Sequence, residues 1–480
     1  MNMRKNTIMM AIYEVLIYIA PLITAPYIAR ILGTKGTGIY SFTYSIAGYF
    51  VIAIQLGVSM YGRREIAGKL DVNERTETFW GIFSVLGITF IVSSFVYVFV
   101  IIICRSEFKV YFLWQYLVLV AGWLDIGWFF FGIEEFKLAV SRNVVVKLLS
   151  LVLVFTLIKN STDTLKYVIL MATTNLISVV VMWIALPKYI TRTKFSINKA
   201  FSHFKPLLIL AVPVLSIQLY SITDKVFIGM MMDMDSVGIY ENMYKLSRVP
   251  VALITTVGTV LLPRITNMIA AGREQETYSY IEKSLSITII LGSACSFGLI
   301  GIAPWLVEMY YGKDFVSGIP ILQILSIVLL ILAWGNVFRT QYIIPRKLDR
   351  IYLVSVVSAA IINIILNTVM IPIFGAIGAA IASIISELMV CIYQSYKIRE
   401  NFNYTSMLKK NSIYFISGLL MASIVYIAGL MINRSTVLSV VILFFIGGVS
   451  YLITCLVLET VTKTRIMKDE INRLIRTIKR

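Results

Sequence analysis

Residues 206–264 read PLLILAVPVLSIQLYSITDKVFIGMMMDMDSVGIYENMYKLSRVPVALITTVGTVLLPR. Two apolar runs of roughly 25 residues meet at the turn Asp233-Met234-Asp235-Ser236, and each run is long enough to cross a bilayer as a helix. The first run nevertheless carries Asp224 and Lys225, and the second carries Glu241, Lys245 and Arg248. Charge at membrane depth costs at least a few kcal/mol per group unless it faces a polar cavity or a partner. Glu241, Lys245 and Arg248 follow i, i+4, i+7 spacing and share one helix face. The stretch reads either as the wall of a hydrated cavity for an anionic ligand or as ion pairs that lock two helices. Among these five charges the cations outnumber the acids, three to two, which favours the cavity.

The rest of the chain has the same character. Apolar residues make up 59% of the 480 and charged residues only 14%. A soluble domain of this length needs far more polar surface. Apolar runs recur from end to end, as in a polytopic helical membrane protein. The first run is too long for a cleaved signal peptide and holds Pro21 and Pro26. The net charge of +18 would suggest nucleic acid in a soluble protein. Here the basic residues lie mainly in short loops, so membrane topology explains them and no nucleic-acid partner is expected. The four cysteines are isolated in apolar runs and His203 is the single histidine. No metal site, disulfide framework or cofactor is expected, and no P-loop is present.

About 14 spans are expected: 7–32, 38–60, 79–103, 110–131, 139–158, 165–186, the opening pair, 284–310, 319–341, 351–371, 375–396, 412–431 and 437–458. The N-terminus, the even-numbered connections and the C-terminal tail hold roughly 32 Lys and Arg, against about 8 in the odd-numbered connections. Both termini are therefore expected on the cytoplasmic side. Gly38-Ile39-Tyr40 with Tyr44 recurs as Gly238-Ile239-Tyr240 with Tyr244, and Arg64-Glu65-Ile66 has a counterpart in Arg264-Ile265-Thr266. Two halves of like orientation follow, with a binding site expected at their interface. The expected division is a six-helix lobe over 1–190, a cytoplasmic linker at 191–205 and a second six-helix lobe over 206–400. Two additional helices over 401–462 and a basic amphipathic tail over 463–480 complete the chain.

Pro21, Pro26 and Pro213 allow bending, as a hinge or as a static kink. Arg30 lines the same cavity or snorkels to the headgroups. Tyr44 and Tyr244, with Tyr40 and Tyr240, line a polar path or sit as interfacial aromatics. The candidate substrate-binding set is Arg30, Lys225, Lys245, Arg248, Tyr44 and Tyr244. Asp224, Glu14 and Glu387 are candidates for coupling to a proton or sodium gradient. Asp125 and Lys147, about equally deep on neighbouring spans, are expected to form a structural ion pair. The tail reads as a helix on anionic lipids of the inner leaflet, with docking to a partner as the alternative.

Two longer motifs carry a resemblance. One is Pro26-Tyr27-Ile28-Ala29-Arg30-Ile31-Leu32-Gly33, then Gly36 and Gly38-Ile39-Tyr40-Ser41-Phe42, with Gly57, Tyr61-Gly62 and Arg64-Glu65-Ile66-Ala67 downstream. The other is Leu124-Asp125-Ile126-Gly127-Trp128-Phe129-Phe130, then Gly132-Ile133-Glu134, Phe136-Lys137 and Arg142-Asn143. Both resemble signatures of the polysaccharide-transporter family, the Wzx-type flippases of the multidrug/oligosaccharidyl-lipid/polysaccharide exporter superfamily. The resemblance implies an all-α fold of two pseudo-symmetric six-helix lobes around a central cavity. It implies transfer of undecaprenyl-diphosphate-linked oligosaccharide repeat units from the inner to the outer leaflet of the bacterial cytoplasmic membrane by alternating access. O-antigen, capsule or exopolysaccharide assembly, beside other polysaccharide-assembly proteins, is the implied setting. Arg30 lies within the matched motif; Lys225, Lys245 and Arg248 rest on depth and helix face alone. The rivals are a multidrug or cation antiporter of the same superfamily, which should have an acidic cavity, and a membrane-embedded sugar polymerase or glycosyltransferase. The outside loops are too short for a polymerase, and the acids do not cluster as glycosyl transfer would need.

Overall fold

The computed structural model describes residues 3–103, 106–191, 197–463 and 466–468. The helices in chain order are α1 (Met3–Gln55), α2 (Val58–Ala67), α3 (Val72–Ile103), α4 (Lys109–Leu124), α5 (Gly127–Gly132) and α6 (Phe136–Leu157). Then come α7 (Thr164–Ala185), α8 (Ile197–Ser202), α9 (Phe204–Met231), α10 (Met234–Arg248), α11 (Val251–Ala270) and α12 (Glu274–Tyr311). The last five are α13 (Ile319–Phe338), α14 (Asp349–Phe374), α15 (Ala376–Lys397), α16 (Tyr404–Ile432) and α17 (Val437–Thr462). No strand occurs among the described residues, as expected where hydrocarbon cannot satisfy an open sheet edge.

Among the described residues, 12 segments are long and apolar enough to cross a membrane. The segment Leu22–Ala67 is one of them, although α1 breaks within it at Gly33 (φ 66°, ψ −171°). That break falls where the first loop is expected. The figure of about 14 counts the two arms of α1 separately and includes α9.

The chain forms two compact units, Met1–Gly238 and Ile239–Arg480. The first unit therefore takes in α9, downstream of the repeat boundary expected at 191–205. Its core is aromatic: Phe79, Phe83, Trp128, Phe129 and Phe130 are buried together. A Cβ on Gly62 would lie 2.4 Å from the Trp128 ring, so only glycine lets α2 lie flat on α5. In the second unit Trp305, Phe338, Tyr342, Tyr414 and Tyr451 belong to one buried cluster. Large apolar side chains such as Phe95, Phe99, Phe444 and Phe445 point outward, the pattern of helices solvated by lipid rather than water.

The repeated glycines meet. A Cβ on Gly38 would sit 1.7 Å from the Met234 carbonyl oxygen, and one on Gly238 would sit 2.0 Å from the Thr34 carbonyl oxygen. The Thr34 hydroxyl donates to Asp235 across the same contact. Asp233 Oδ1 accepts the Ser236 N–H at 2.7 Å and caps the start of α10. Farther along α1, Tyr49 donates to Thr223 on α9 at 3.0 Å.

One expectation is corrected. The second run of the opening stretch is not a single span: the helix stops at Arg248 and restarts at Val251. Pro250 supplies no N–H and its ring disfavours helix in the residue before it, so the interruption falls there. Glu241, Lys245 and Arg248 thus lie on the separate helix α10, ahead of the apolar helix α11.

Because the Gly38–Gly238 approach is backbone on backbone, Gly38→Val and Gly238→Val should each lower thermal stability in detergent by about 2 kcal/mol or more. Gly448→Ala, where a Cβ meets nothing within 4 Å, is the control and should leave stability unchanged or slightly raised.

Candidate functional site

The charged face of α10 is built on an anchored helix. The Tyr311 hydroxyl of α12 donates to the Asn242 carbonyl at 3.0 Å, and Gly318 lies where a Cβ would press on Ile239 and Met243. On the exposed side, Lys245 Nζ lies 3.1 Å from Glu241 Oε1. Glu241 is buried and Lys245 is 44% exposed at the side chain. The Arg248 guanidinium sits over the Tyr244 ring at 4.8 Å. The ion pair therefore runs along one helix turn, and Lys245 keeps access to a ligand.

The repeat reproduces its geometry as well as its letters. Tyr40 and Tyr44 stack at 5.5 Å with 17° between planes, and Tyr240 and Tyr244 at 6.3 Å with 19°. In each pair the i, i+4 spacing puts one ring directly above the other. Tyr44 is exposed and Tyr240 is buried. In the first unit Arg30 is exposed, Lys225 is half-buried and Asp224 is buried. Glu387 is buried on α15 with Ser383 and Ser386. Glu14 lies outside the residues whose side chains are described, as does the tail from 469 onward. Asp125 ends α4 and turns its Oδ1 onto the Gly127 N–H at 2.9 Å, so one of its oxygens shapes the α4–α5 corner. Lys147 is half-buried on α6.

A second basic place went unrecognised in the sequence. The chain leaves α1 through Leu56 (φ 43°) and Gly57 (φ 73°), two successive left-handed residues, and enters α2 at a sharp angle. A cavity of about 720 Å³ opens at this corner. Its polar lining is Gln55, Ser59, Arg63, Arg64, Glu134 and Gln218, two cations to one acid. Arg63 stacks on Phe131 at 4.2 Å, which fixes its plane. Arg64 is 3.8 Å from Glu65, and its side chain is 69% exposed. Two guanidinium groups with amide and hydroxyl neighbours suit a phosphate-bearing, sugar-bearing ligand. Arg63 and Arg64 count towards topology in the sequence, because adjacent arginines after a span are ordinary loop residues. Gly57 six residues upstream was the available signal, since it marks a bend that turns the next helix towards a cavity. No cluster of three or more His, Cys, Asp or Glu able to hold a metal occurs among the described residues.

The family model described as "Polysaccharide biosynthesis protein" matches residues 3–269. An Escherichia coli (strain K12) protein named "Putative O-antigen transporter" is 22% identical over 406 residues, 84% of this chain and 98% of its own length. A Haloferax volcanii protein named "Probable low-salt glycan biosynthesis flippase Agl15" is 22% identical over 255 residues, 51% of this chain and 52% of its own. Among solved structures, lipid II flippase MurJ in an inward closed conformation superposes with a TM-score of 0.75 at 16% identity, covering 94% of this chain and 99% of that one. An inward-facing multidrug resistance MATE family transporter superposes at 0.56 with 14% identity, covering 82% and 99%. These two likenesses establish the fold.

The corner cavity makes an accessibility prediction. In a cysteine-free background, cysteines at Ser59 and Gln218 should react with a water-soluble maleimide, while one at Ala47, fully buried, should stay unlabelled in membranes. Labelling at Ser59 and Gln218 no greater than at Ala47 would mean that this corner is not an aqueous recess.

Proposed function

The chain belongs to the polysaccharide biosynthesis protein family, and from that membership we propose that it is a flippase for undecaprenyl-diphosphate-linked oligosaccharide repeat units. The movement is from the inner to the outer leaflet of the bacterial cytoplasmic membrane, by alternating access. The observation that carries the proposal is the arginine-lined corner cavity, Arg63 and Arg64 beside Gln55, Ser59 and Gln218. A diphosphate with attached sugar cannot enter hydrocarbon without losing its hydration. Guanidinium forks and amides replace that hydration with bonds of the right charge and geometry. On the proposed topology, with both termini cytoplasmic, this corner lies at the inner leaflet, where the lipid-linked unit is loaded.

Arg30, Lys225, Lys245 and Arg248, with Tyr44 and Tyr244, are the proposed contacts as the headgroup crosses. Asp224, Glu387 and Glu14 are proposed carriers of a coupling proton or sodium ion. Asp125 and Lys147 are proposed as a structural pair, and the C-terminal tail as a contact with anionic lipids. Polysaccharide-assembly proteins are proposed as neighbours in the membrane. The antiporter reading shares the fold but has the wrong sign of charge, since a cavity lined by two arginines against the single acid Glu134 is net positive and repels cations.

Cells lacking the protein, with the sugar pathway intact, should accumulate repeat units that a membrane-impermeant sugar-modifying reagent cannot reach. Wild type should restore exposure. Arg248→Glu and Lys245→Glu should not, at unchanged protein level, and Lys245→Arg should restore part. Normal exposure in the deletion strain would sink the flippase reading.

The exchange Glu241→Lys with Lys245→Glu keeps the ion pair and moves the charge one turn. It should stay inactive if Lys245 serves the headgroup; full activity would reduce Lys245 to a structural partner.

A further inference from the structure

A different pocket lies in the second unit, and the one charged group that lines it is an acid, Glu308. It holds about 390 Å³ and is lined by Trp305 and Glu308 from the last turns of α12, Tyr426 and Leu430 from α16, and Asn433 and Ser435 from the α16–α17 turn. That volume falls at the small end of ligand sites. No Lys or Arg is among its lining residues; Arg434, between Asn433 and Ser435 in the turn, is exposed and is not one of them.

The pocket is held in shape by specific contacts. The Ser435 hydroxyl donates to Glu308 Oε2 at 2.6 Å, which ties the turn to α12 and leaves Oε1 to accept from a ligand. Asn433 adopts a left-handed conformation (φ 48°) and ends α16, which brings its amide to the rim. Trp305 is almost fully buried and meets Tyr426 edge-on, with centroids 5.7 Å apart. Gly429 lies under the indole, where a Cβ would come within 2.3 Å of it, so the ring sits flush against α16. Tyr426, by contrast, is 45% exposed and offers its ring.

An interfacial aromatic belt explains a Tyr or a Trp at this depth. It does not explain a carboxylate, a carboxamide and a hydroxyl converging on the same recess. An aromatic platform beside acceptor and donor groups, with no cation, is the chemistry that receives a neutral, hydroxyl-rich ring: the apolar face of the ring lies on the aromatic and its hydroxyls bond Glu308 and Asn433.

We propose that Trp305, Tyr426, Glu308 and Asn433 form a glycan-binding subsite separate from the cationic residues. This rests on the flippase reading and its topology, which puts the α16–α17 turn on the outer side. There the subsite holds sugar rings of a unit whose diphosphate is still bound elsewhere, or of a unit already delivered.

The test places the photoreactive residue p-benzoylphenylalanine at Leu430 in cells that assemble the polymer. After irradiation the purified protein should carry a glycan-bearing adduct by mass. Tyr426→Ala and Glu308→Ala should each cut its yield roughly tenfold, and Tyr426→Phe should retain it, with protein level measured for every variant. An adduct mass that includes prenyl diphosphate identifies the lipid-linked unit as the source, and one without it identifies released glycan; both support the subsite. A phospholipid-only adduct, no glycan adduct, or a glycan adduct indifferent to both alanine variants overturns it. The deletion strain separates the two claims. Blocked sugar exposure with no glycan adduct leaves the flippase reading intact and removes the subsite, whereas unblocked exposure removes the flippase reading itself.

Discussion

Gly38 and Gly238 approach so closely that a Cβ on either would overlap a carbonyl oxygen of the other segment. This contact fixes where α1, after its break at Gly33, meets the turn from α9 into α10. Packing in hydrocarbon gains nothing from excluding water, so helices associate through close backbone approach and hydrogen bonds. Small residues supply the first, and the Thr34–Asp235 bond supplies the second at the same spot. The tyrosines downstream inherit their placement from it. In each repeat the glycine sits two residues before the first Tyr and six before the second, so anchoring the glycine sets the height of the stacked pair.

That arrangement was partly legible in the letters. Gly-Ile-Tyr with a second Tyr four residues on appears twice, and the spacing alone predicts stacked rings on a helix. What could not be read was that the two glycines touch each other, because a local repeat carries no information about which surfaces meet. The fold class followed from apolar run length and loop charge, which are one-dimensional signals. The split of the expected eighth span into α10 and α11 was also legible at Pro250, but run length outweighed it: the residues on either side are apolar enough to hide the break. The seventh helix packing with the first unit was not legible, since it depends on Tyr49 meeting Thr223 and Gly57 meeting Leu210 across the fold.

For the site, the sequence pointed to charges at membrane depth and passed over charges at its edge. Lys245 and Arg248 stood out because they are costly where they are, yet each is already engaged, with Glu241 and with the Tyr244 ring. Arg63 and Arg64 are cheap where they are, and adjacency to a span end made them look like topology. Their recess comes from backbone, Leu56 and Gly57 both left-handed, and Leu56 is not a residue whose identity predicts that conformation. The pocket at Trp305 is harder still to see in sequence, because its residues come from two segments more than a hundred residues apart and none is unusual alone.

The two pockets suggest a division by chemistry. A lipid-linked sugar presents two unlike parts, a diphosphate that needs positive charge and rings that need aromatic faces and neutral hydrogen bonds. A single basic site would hold the diphosphate strongly but would not tell one glycan from another, since charge is common to every repeat unit. Sugar hydroxyls do differ between units, and a site that must bond them rejects a unit lacking one by leaving its own polar groups unpaired. On the proposed reading, the Glu308–Asn433 pocket reads the rings at its own stage of passage, a task that does not require the arginines at α2 to be engaged at the same time. An arginine bonded to Glu308 would close the carboxylate into an ion pair and remove the acceptor that a sugar hydroxyl needs, and none is among the lining residues.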